Sequence, residues 1–397
     1  MIARRRILFL TALPLDAPRS GGTIKSAALL AHLERSHDVD VACLSPGPST
    51  WMRERGEVVS VPLARPRSAW RLLASYLSRV PLSVERNRTP AMSAAVDALS
   101  RRGRHDTAFV DGWLMSQYVP ASFDGTRLLH QHNVEHQMWE RHASVERSAI
   151  RRALVRTEAT RVRAYERAML PRFDGVFAVS DSDRRAFVEL GADPERTRVL
   201  PNVADPGLLE RPALDPPDDP VVLWLGTLSW PPNAEGLERF LRSGARRLRE
   251  RVPAARILVA GHGASERTRS LIARAPGAEL LEDVVDDEPL YRIARCFVDA
   301  SVGGAGTRVK ILNALARGVP VVATSDAASG LETHAGVHLL EAGDPAALAE
   351  PIARVLQDDE LWRRLSAEGR RLVRERYSPS TAFEPLDDVL SSAPRSS

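Results

Sequence analysis

Short apolar runs bounded by turn residues alternate with longer amphipathic segments along nearly the whole chain. The short runs are rich in Val, Ile and Leu, which is typical of strands buried on both faces of a parallel sheet. The predicted strands are 7–13, 39–44, 58–62, 107–111, 128–132, 176–180 and 198–200, followed by 221–225, 257–260, 279–281, 297–300, 320–323 and 337–340. Strands that alternate with helical segments predict an α/β protein.

The segments between these runs have apolar residues at helical spacing. The predicted helices are 26–36, one long helix over 139–170, and then 234–251, 265–275, 308–317, 345–356 and 360–377. Between the two series lies 206–220, which has the proline-rich and acidic composition of a linker. We therefore expect two doubly wound Rossmann-like domains, 1–205 and 221–378, which face each other across a cleft. The remainder, 379–397, is expected to be a helix and tail with a frayed end.

Length and composition narrow the class of protein. The chain has 397 residues, of which 44% are hydrophobic and 27% charged, with a formal net charge of +4. These values are typical of a globular protein and give no indication of a nucleic-acid partner. Cys43 and Cys296 lie in different predicted domains, as expected for buried thiols in a reducing compartment. We expect a cytoplasmic protein.

Residues 65–88 are basic and amphipathic and include Trp70 and Tyr76. One interpretation is a helix that packs its apolar stripe on the N-terminal sheet. The second is a peripheral contact with the inner face of an anionic membrane. The sequence favours the first interpretation and leaves the second open.

The chain contains 55 lysine and arginine residues, and only two of them, Lys25 and Lys310, are lysines. Each follows a glycine cluster, one in each predicted domain. A compact ammonium group on a flexible stem can reach a phosphate where a planar guanidinium does not fit. Glycines nearby let backbone N–H groups approach an anion closely. Chance placement is the alternative, and it is weaker for Lys310, which belongs to a longer pattern.

That pattern is Gly303-Gly-Ala-Gly-Thr-Arg-Val-Lys310, followed by a helical segment and then by Gly318-Val-Pro-Val-Val-Ala-Thr324. It predicts a strand, a glycine loop, a helix, a turn and a further strand. A loop that ends at a helix N-terminus is suited to bind an anion, and Arg308 and Lys310 add two positive charges there. The spacing fits neither the P-loop nor the dinucleotide-binding fingerprint.

The same stretch resembles the donor-site motif of retaining glycosyltransferases with the GT-B fold, in family four of the sequence classification. The resemblance extends along the chain through Gly226-Thr-Leu-Ser-Trp-Pro-Pro-Asn233, His132-Asn-Val-Glu135, Glu166 and Gly21-Gly22. Each match is short, but their order and spacing together are specific.

The resemblance implies a role for each matching position. Arg308 and Lys310 would hold the diphosphate of a nucleotide-sugar and stabilise the departing phosphate, and His132 would face the sugar or the acceptor. The implied donor-binding residues are Gly21, Gly22, Lys25, Gly226, Asn233, Val285, Gly304, Gly306, Thr307 and Asn313. The resemblance implies no cofactor and no metal ion. The acceptor stays open among a glycan, a lipid carrier and a small metabolite.

Two departures from the family pattern bear on function. The family carries two glutamates eight positions apart, and here those positions hold Ala305 and Asn313. A neutral amide binds ribose hydroxyls more weakly than a carboxylate does. Two alternatives to a transferase therefore remain: a catalytically degenerate homologue that serves as a binding or partner subunit, and a nucleotide-sugar epimerase of the same fold.

Overall fold

A computed structural model describes residues 4–12, 15, 21–45, 56–62, 75–78, 80–146, 148–302 and 309–392. Two parallel sheets with flanking helices confirm the predicted doubly wound α/β fold. The strands are Arg6–Thr11 (β1), Asp38–Ser45 (β2), Val58–Pro62 (β3), Thr107–Asp111 (β4), Thr126–His130 (β5), Gly175–Ala178 (β6), Thr197–Val199 (β7), Val221–Thr227 (β8), Arg256–His262 (β9), Ala278–Glu282 (β10), Cys296–Asp299 (β11), Val321–Thr324 (β12) and Leu340–Ala342 (β13).

The order of the strands defines one crevice in each sheet. The first sheet runs β3-β2-β1-β4-β5-β6-β7, and the second runs β10-β9-β8-β11-β12-β13. The direction of winding therefore reverses between β1 and β4 in the first sheet, and between β8 and β11 in the second. In doubly wound sheets, ligands bind at such a switch point, outside the carboxyl ends of the strands.

Helices cover both sheets. Their bounds are Gly21–Ser36 (α1), 75–78 (α2), Leu82–Arg86 (α3), Pro90–Gly103 (α4), Glu135–Val145 (α5), Ala149–Met169 (α6), Asp181–Leu190 (α7), Pro231–Arg239 (α8), Ala245–Arg251 (α9), Glu266–Arg274 (α10), Glu288–Ile293 (α11), Val309–Arg317 (α12), Ser325–Ala328 (α13), Ala349–Gln357 (α14), Asp359–Arg376 (α15), Pro379–Ala382 (α16) and Glu384–Ser392 (α17). Short 3-10 turns lie at Trp113–Tyr118, Leu170–Arg172, Pro206–Leu208 and Pro345–Leu348, and a π-helical turn, Phe240–Gly244, joins α8 to α9.

The single long helix predicted over 139–170 is wrong, because the chain breaks it into α5 and α6. Ser148 is the reason: its hydroxyl accepts a hydrogen bond from the backbone N–H of Arg151 and caps α6. The carboxylate of Glu146 in turn accepts one from the N–H of Ser148. A serine at the N-cap stabilises a helix start, whereas the apolar periodicity continues through the break.

The chain forms two compact units, Met1–Pro201 with Ala382–Ser397, and Asn202–Thr381. The segment 206–220, predicted as a linker, belongs to the second unit. The guanidinium of Arg370 fixes it there by donating to the carbonyl oxygens of Leu209, Arg211 and Pro212. A buried arginine needs several acceptors, and irregular backbone supplies them.

The chain is helical at Pro379–Ala382 and at Glu384–Ser392, within the segment predicted as a helix and tail. Helix α17 packs on the first unit through the buried side chains of Leu386 and Leu390. Arg5 donates to the carbonyl oxygen of Leu390 at 2.5 Å, and His32 contacts Asp387 at 2.9 Å. Among the described residues, none of the helices combines the length and apolarity needed to cross a bilayer.

Gly236 in α8 allows this helix to lie directly against the end of β11. A Cβ atom at position 236 would lie 1.8 Å from the carbonyl oxygen of Ala300. Backbone cannot yield to such a contact, so α8 would have to move away from the sheet.

We expect Gly236→Ala to lower the free energy of unfolding by about 2 kcal/mol, despite the better helix propensity of alanine. Urea unfolding measures this change in the free energy of unfolding. Gly207→Ala is the matched control, because no atom lies within 4 Å of a Cβ there, and it should change stability by less than about 0.5 kcal/mol. Equal effects of the two substitutions would contradict the close approach.

Candidate functional site

Lys310 lies at the switch point of the second unit, in the first turn of α12. Its ammonium group contacts Asp299 at 2.9 Å, Ser301 at 3.0 Å and Asn233 at 3.1 Å. Each of the three acceptors can take one of the three protons of the ammonium group. The side chain of Lys310 is 21% exposed, while that of Asp299 is 1% exposed. The lysine is therefore held in one orientation with part of its charge open to solvent.

Asp299 is the buried counter-ion that the sequence analysis did not identify. Burial disfavours its charged form, but the Lys310 ammonium and the hydrogen bonds from Ser301 outweigh burial and lower the pKa of Asp299. Ser301 donates to it through both its backbone N–H, at 3.0 Å, and its hydroxyl, at 2.5 Å. Asp299 is thus ionised at neutral pH and neutralises much of the charge of Lys310 within the fold.

Gly226, near the end of β8, packs against the side chain of Asn233 on α8. The amide group of Asn233 donates to the carbonyl oxygen of Thr227 at 3.1 Å, and its oxygen accepts from Lys310 and lies 3.0 Å from the hydroxyl oxygen of Ser301. A Cβ at position 226 would lie 3.1 Å from the side-chain nitrogen of Asn233. Glycine at 226 therefore leaves room for Asn233, whose side-chain oxygen contacts the lysine.

Two other predicted donor-binding residues have contrasting surroundings. Asn313 lies one turn along α12 from Lys310, and its side-chain oxygen accepts a hydrogen bond from the backbone N–H of Asp205 at 2.9 Å. Val285, in the loop after β10, is fully exposed. Gly304, Gly306, Thr307 and Arg308 lie outside the described residues.

In the first unit, His132 lies just beyond β5, close to the switch point between β1 and β4. Its Nε2 is 3.0 Å from Oδ1 of Asp111, the last residue of β4. The same oxygen accepts a hydrogen bond from Nδ1 of His130 at 2.7 Å. The other oxygen of Asp111 accepts from Ser26 at 2.5 Å and from Thr11 at 3.1 Å. Asp111 is therefore fixed by residues from β1, α1 and β5.

The burial and the contacts of Asp111 and His130 determine their protonation states. Burial opposes ionisation of Asp111, but its contacts with His132 and His130 outweigh that cost and hold its pKa well below the usual range. Burial, followed by the charge of Lys25, lowers the pKa of His130 to about 3. His130 is therefore neutral at physiological pH, and it serves Asp111 as a hydrogen-bond donor.

Asp111, His130 and His132 are also groups of the kind that bind a metal ion, and their ligand atoms lie within 4.8 Å of one another. Two ligands of one zinc ion, each about 2.1 Å from it, are about 3.4 Å apart in a tetrahedral site. Asp111 instead accepts a hydrogen bond from His130 at 2.7 Å and lies 3.0 Å from Nε2 of His132, and both distances are shorter than that separation. The geometry fits a hydrogen-bonded carboxylate better than a metal centre.

Lys25 does not lie where a phosphate contact requires it. It is completely buried, and its ammonium group donates to the carbonyl oxygen of Leu200. Burial lowers its pKa to about 7, although the charges of Asp111 and Asp183 counteract part of this shift. Gly21 and Gly22 are likewise not in a loop, because they form the first turn of α1. Backbone N–H groups in the first turn of a helix have no hydrogen-bond acceptor within that helix.

Glu166 holds the start of α5, three residues after His132. This buried carboxylate on α6 accepts hydrogen bonds from the backbone N–H of Glu135 at 2.9 Å, from that of His136 at 3.0 Å, and from His136 Nδ1 at 2.7 Å. It thereby caps α5, whose own N-cap residue, Val134, provides no side-chain oxygen. Burial and the charge of Glu166 raise the pKa of Glu135 to about 8.

The sequence contained a signal for both missed aspartates. Each ends a strand with the tripeptide Phe-Val-Asp, at 109–111 and at 297–299, and each strand borders a switch point. A carboxylate at the end of an apolar run is costly to bury without a partner. The repeated tripeptide could therefore have indicated two buried ionic sites.

Family models of glycosyltransferases match both units. One described as "Glycosyl transferase 4-like domain" matches residues 20–203, and one described as "Glycosyl transferases group 1" matches residues 219–358. The phosphatidyl-myo-inositol mannosyltransferase of Mycobacterium leprae is 32% identical over 227 residues, which cover 53% of this chain and 57% of that protein. The chain spans about half the length of the curated relatives it matches.

Solved structures match nearly the full length of the chain. Sucrose-phosphate synthase from Thermosynechococcus elongatus has a TM-score of 0.73 at 17% identity, with 97% of this chain and 98% of that chain covered. Anabaena HepE in complex with UDP and glucose has a TM-score of 0.66 at 17% identity, with 98% and 100% covered. Similarity at this level of identity shows the GT-B fold.

The buried Lys25 makes stability depend on pH in a way that a substitution can isolate. Its pKa is about 7 in the folded protein against 10.5 for an unperturbed lysine, so folding releases a proton between these values. The wild type therefore gains stability as pH rises through this window, by at most about 1.4 kcal/mol per pH unit. Lys25→Met removes that gain.

We expect the stability difference between Lys25→Met and the wild type to shift in favour of the wild type from pH 7 to pH 9, as measured by urea unfolding. Ser26→Ala is the control, since it weakens the surroundings of Asp111 without removing a titrating group. Parallel pH curves for Lys25→Met and the wild type would show that Lys25 does not change its charge on folding.

Proposed function

Because the chain is matched by glycosyltransferase families in both units and has the GT-B fold, we propose that it transfers a sugar from a nucleoside-diphosphate sugar to an acceptor with retention of anomeric configuration. The donor would bind mainly to the second unit, and the acceptor mainly to the first. HepE, a protein of the same fold, has been solved with UDP and glucose and with UDP-glucose, which supports a nucleotide-sugar donor.

The observation that carries the proposal is the position of Lys310. It lies at the carboxyl end of the sheet, at the switch point, beside the first turn of α12. The diphosphate would be attracted by the charge of its ammonium group and would accept hydrogen bonds from backbone N–H groups at the start of the helix, where the helix dipole favours an anion. As the bond between the sugar and the diphosphate breaks, negative charge develops on the phosphate oxygens. A preorganised cation stabilises that charge.

Asp299, Ser301 and Asn233 would prepare the lysine for this step. They fix the ammonium group before the donor arrives, so little reorganisation is needed as charge develops. Arg308 would supply a second positive charge to the diphosphate. No metal ion would be required, since the two cations take over the neutralisation that a divalent ion provides in other enzymes.

His132 is the residue of the first unit that we assign to the reacting groups. Asp111 contacts its Nε2, and Glu166 holds the helix start that follows it, so its ring has a defined position. We propose that His132 hydrogen-bonds the transferred sugar or the acceptor hydroxyl. The acceptor proton would pass to the departing phosphate on the same face, which accounts for retention.

Removing Lys310 alone would leave Asp299 buried without its cation, which can cost about 3–5 kcal/mol of stability. We therefore expect Lys310→Met to bind and turn over the donor poorly, and also to melt at a lower temperature. The double variant Asp299→Asn, Lys310→Met should regain stability because it buries no unpaired charge, yet it should still lose donor turnover by about a hundredfold or more.

The wild type is first screened against a panel of nucleotide-sugars to find a donor. Release of nucleoside diphosphate and the melting temperature are then measured for each variant. Asp299→Asn alone is the control that keeps the lysine, and it should retain donor binding. Normal turnover by the stable double variant would refute the role of Lys310. A donor that is consumed without an acceptor and yields an epimer would identify the epimerase alternative, and a donor that binds without turnover would identify the binding subunit.

Asn313→Glu should tighten nucleotide binding about threefold to tenfold, because a carboxylate makes stronger hydrogen bonds to ribose hydroxyls than an amide does. One carboxylate oxygen can keep the bond from Asp205, and the other is left for the ribose. Calorimetric titration with UDP and with other nucleoside diphosphates measures the change, with Asn313→Gln as the neutral control. If all three proteins bind equally, residue 313 does not contact the nucleotide.

A further inference from the structure

The exposed large hydrophobic side chains of the first unit are concentrated on two elements. Among its described residues, those with high exposure are Ile150 and Leu154 on α6, at 77% and 55%, and Tyr76 and Leu77 on α2, at 44% and 78%. Single exposed apolar residues are common on protein surfaces, but their concentration on neighbouring elements calls for an explanation.

The two elements are in direct contact. The guanidinium of Arg161 on α6 donates to the carbonyl oxygens of Ser75 and Val80, each at 2.5 Å, and lies over the ring of Tyr76 at 4.4 Å. Leu154 is seven residues before Arg161 and Ile150 is four before Leu154, so all three lie on one face of the helix. The apolar stripe of α6 therefore leads directly to α2.

The first turns of α6 project from the unit. No side chain from 148 to 157 is buried, whereas Ala159, Val162 and Met169 further along the helix are part of the core. Packing on the first unit thus stabilises the second half of α6 and leaves Ile150 and Leu154 without a covering surface among the described residues. We call the residues 148–157 with Tyr76 and Leu77 the α6 tip.

The charged residues around the α6 tip indicate what kind of surface it binds. Arg151, Arg152 and Arg156 lie within two turns of Ile150 and Leu154. Both acidic residues of α6 are buried and engaged, Glu158 with Arg161 and Glu166 with the start of α5. The described surface of α6 therefore carries arginines and no exposed acid. Outside α6, the two acids closest in sequence to its first turns are Glu140, which is exposed on α5, and Glu146, which is half-buried and bonded to Ser148.

We propose that the α6 tip binds an anionic membrane surface. Ile150, Leu154 and Leu77 would enter the boundary between head groups and acyl chains, while the arginines contact lipid phosphates with their long side chains extended to the interface. Nucleic acid fits less well, because it would leave the aliphatic side chains exposed, and the tip offers one tyrosine for stacking. This contact is independent of the proposed transferase activity, and it locates the acceptor supply at a membrane if both hold.

The test is co-sedimentation of the full chain with vesicles of phosphatidylcholine, with and without phosphatidylglycerol. We expect binding to the anionic vesicles that weakens as salt is raised, since salt screens exposed charges. Ile150→Ser with Leu154→Ser should weaken it about tenfold or more. Arg151→Gln with Arg156→Gln should weaken it about twenty-five-fold, at roughly fivefold per arginine.

Matched controls come from the second unit. Ile293→Ser removes an apolar side chain that is 45% exposed, and Arg246→Gln removes an exposed arginine whose guanidinium lies 3.7 Å from Glu250; neither should change binding. All variants should keep the wild-type melting temperature and donor turnover. The proposal is overturned if the wild type ignores anionic vesicles, if the controls weaken binding as much as the tip variants, or if the tip variants instead lose affinity for a DNA duplex or a second copy of the chain.

Discussion

A buried, ionised aspartate at the end of a central strand constrains each unit of this protein. Asp111 and Asp299 are each 1% exposed, and the removal of a carboxylate from water costs several kcal/mol unless partners compensate. Asp111 is compensated by two hydroxyl groups and two imidazoles, and Asp299 by a serine and an ammonium group. Polar side chains from several elements must therefore converge on the same edge of the sheet. Lys310 and His132 are held there because the buried carboxylates need partners of opposite charge or hydrogen-bond donors.

As a result, the side chains of Lys310 and His132 are held in place before any ligand binds. Lys310 has no freedom to swing away, because all of its protons have acceptors, and His132 lies between Asp111 and a helix start that Glu166 caps. The same contacts also reduce the charge that Lys310 presents to an anion. Under the proposed function, donor binding would depend as well on backbone N–H groups and on Arg308, and the reduced charge would favour release of the diphosphate after transfer.

Prediction from sequence succeeded for the elements and was less complete for side chains. The thirteen predicted strands correspond to β1–β13, with ends shifted by a few residues, because short apolar runs in a parallel sheet leave a clear pattern. The helix over 139–170 was wrong since the apolar spacing continues across Ser148, where a hydroxyl cap decides the boundary. Lys25 was misplaced for a different reason. A lysine near glycines indicates a phosphate contact only if its side chain reaches the surface, and burial depends on the packing of α1 against the sheet.

The sequence alone determined that the chain folds as two doubly wound units, and it located the segments that meet at their switch points, because strand and helix periodicities are local properties of a chain. It also predicted Lys310 and His132 as site residues. Only the tertiary structure decided which partners these residues have, because Asp299, Asn233 and Asp111 come from elements distant in sequence and meet only at the edge of a folded sheet. It also decided that one lysine is completely buried and the other is partly exposed, since the exposure of a side chain depends on everything that packs around it.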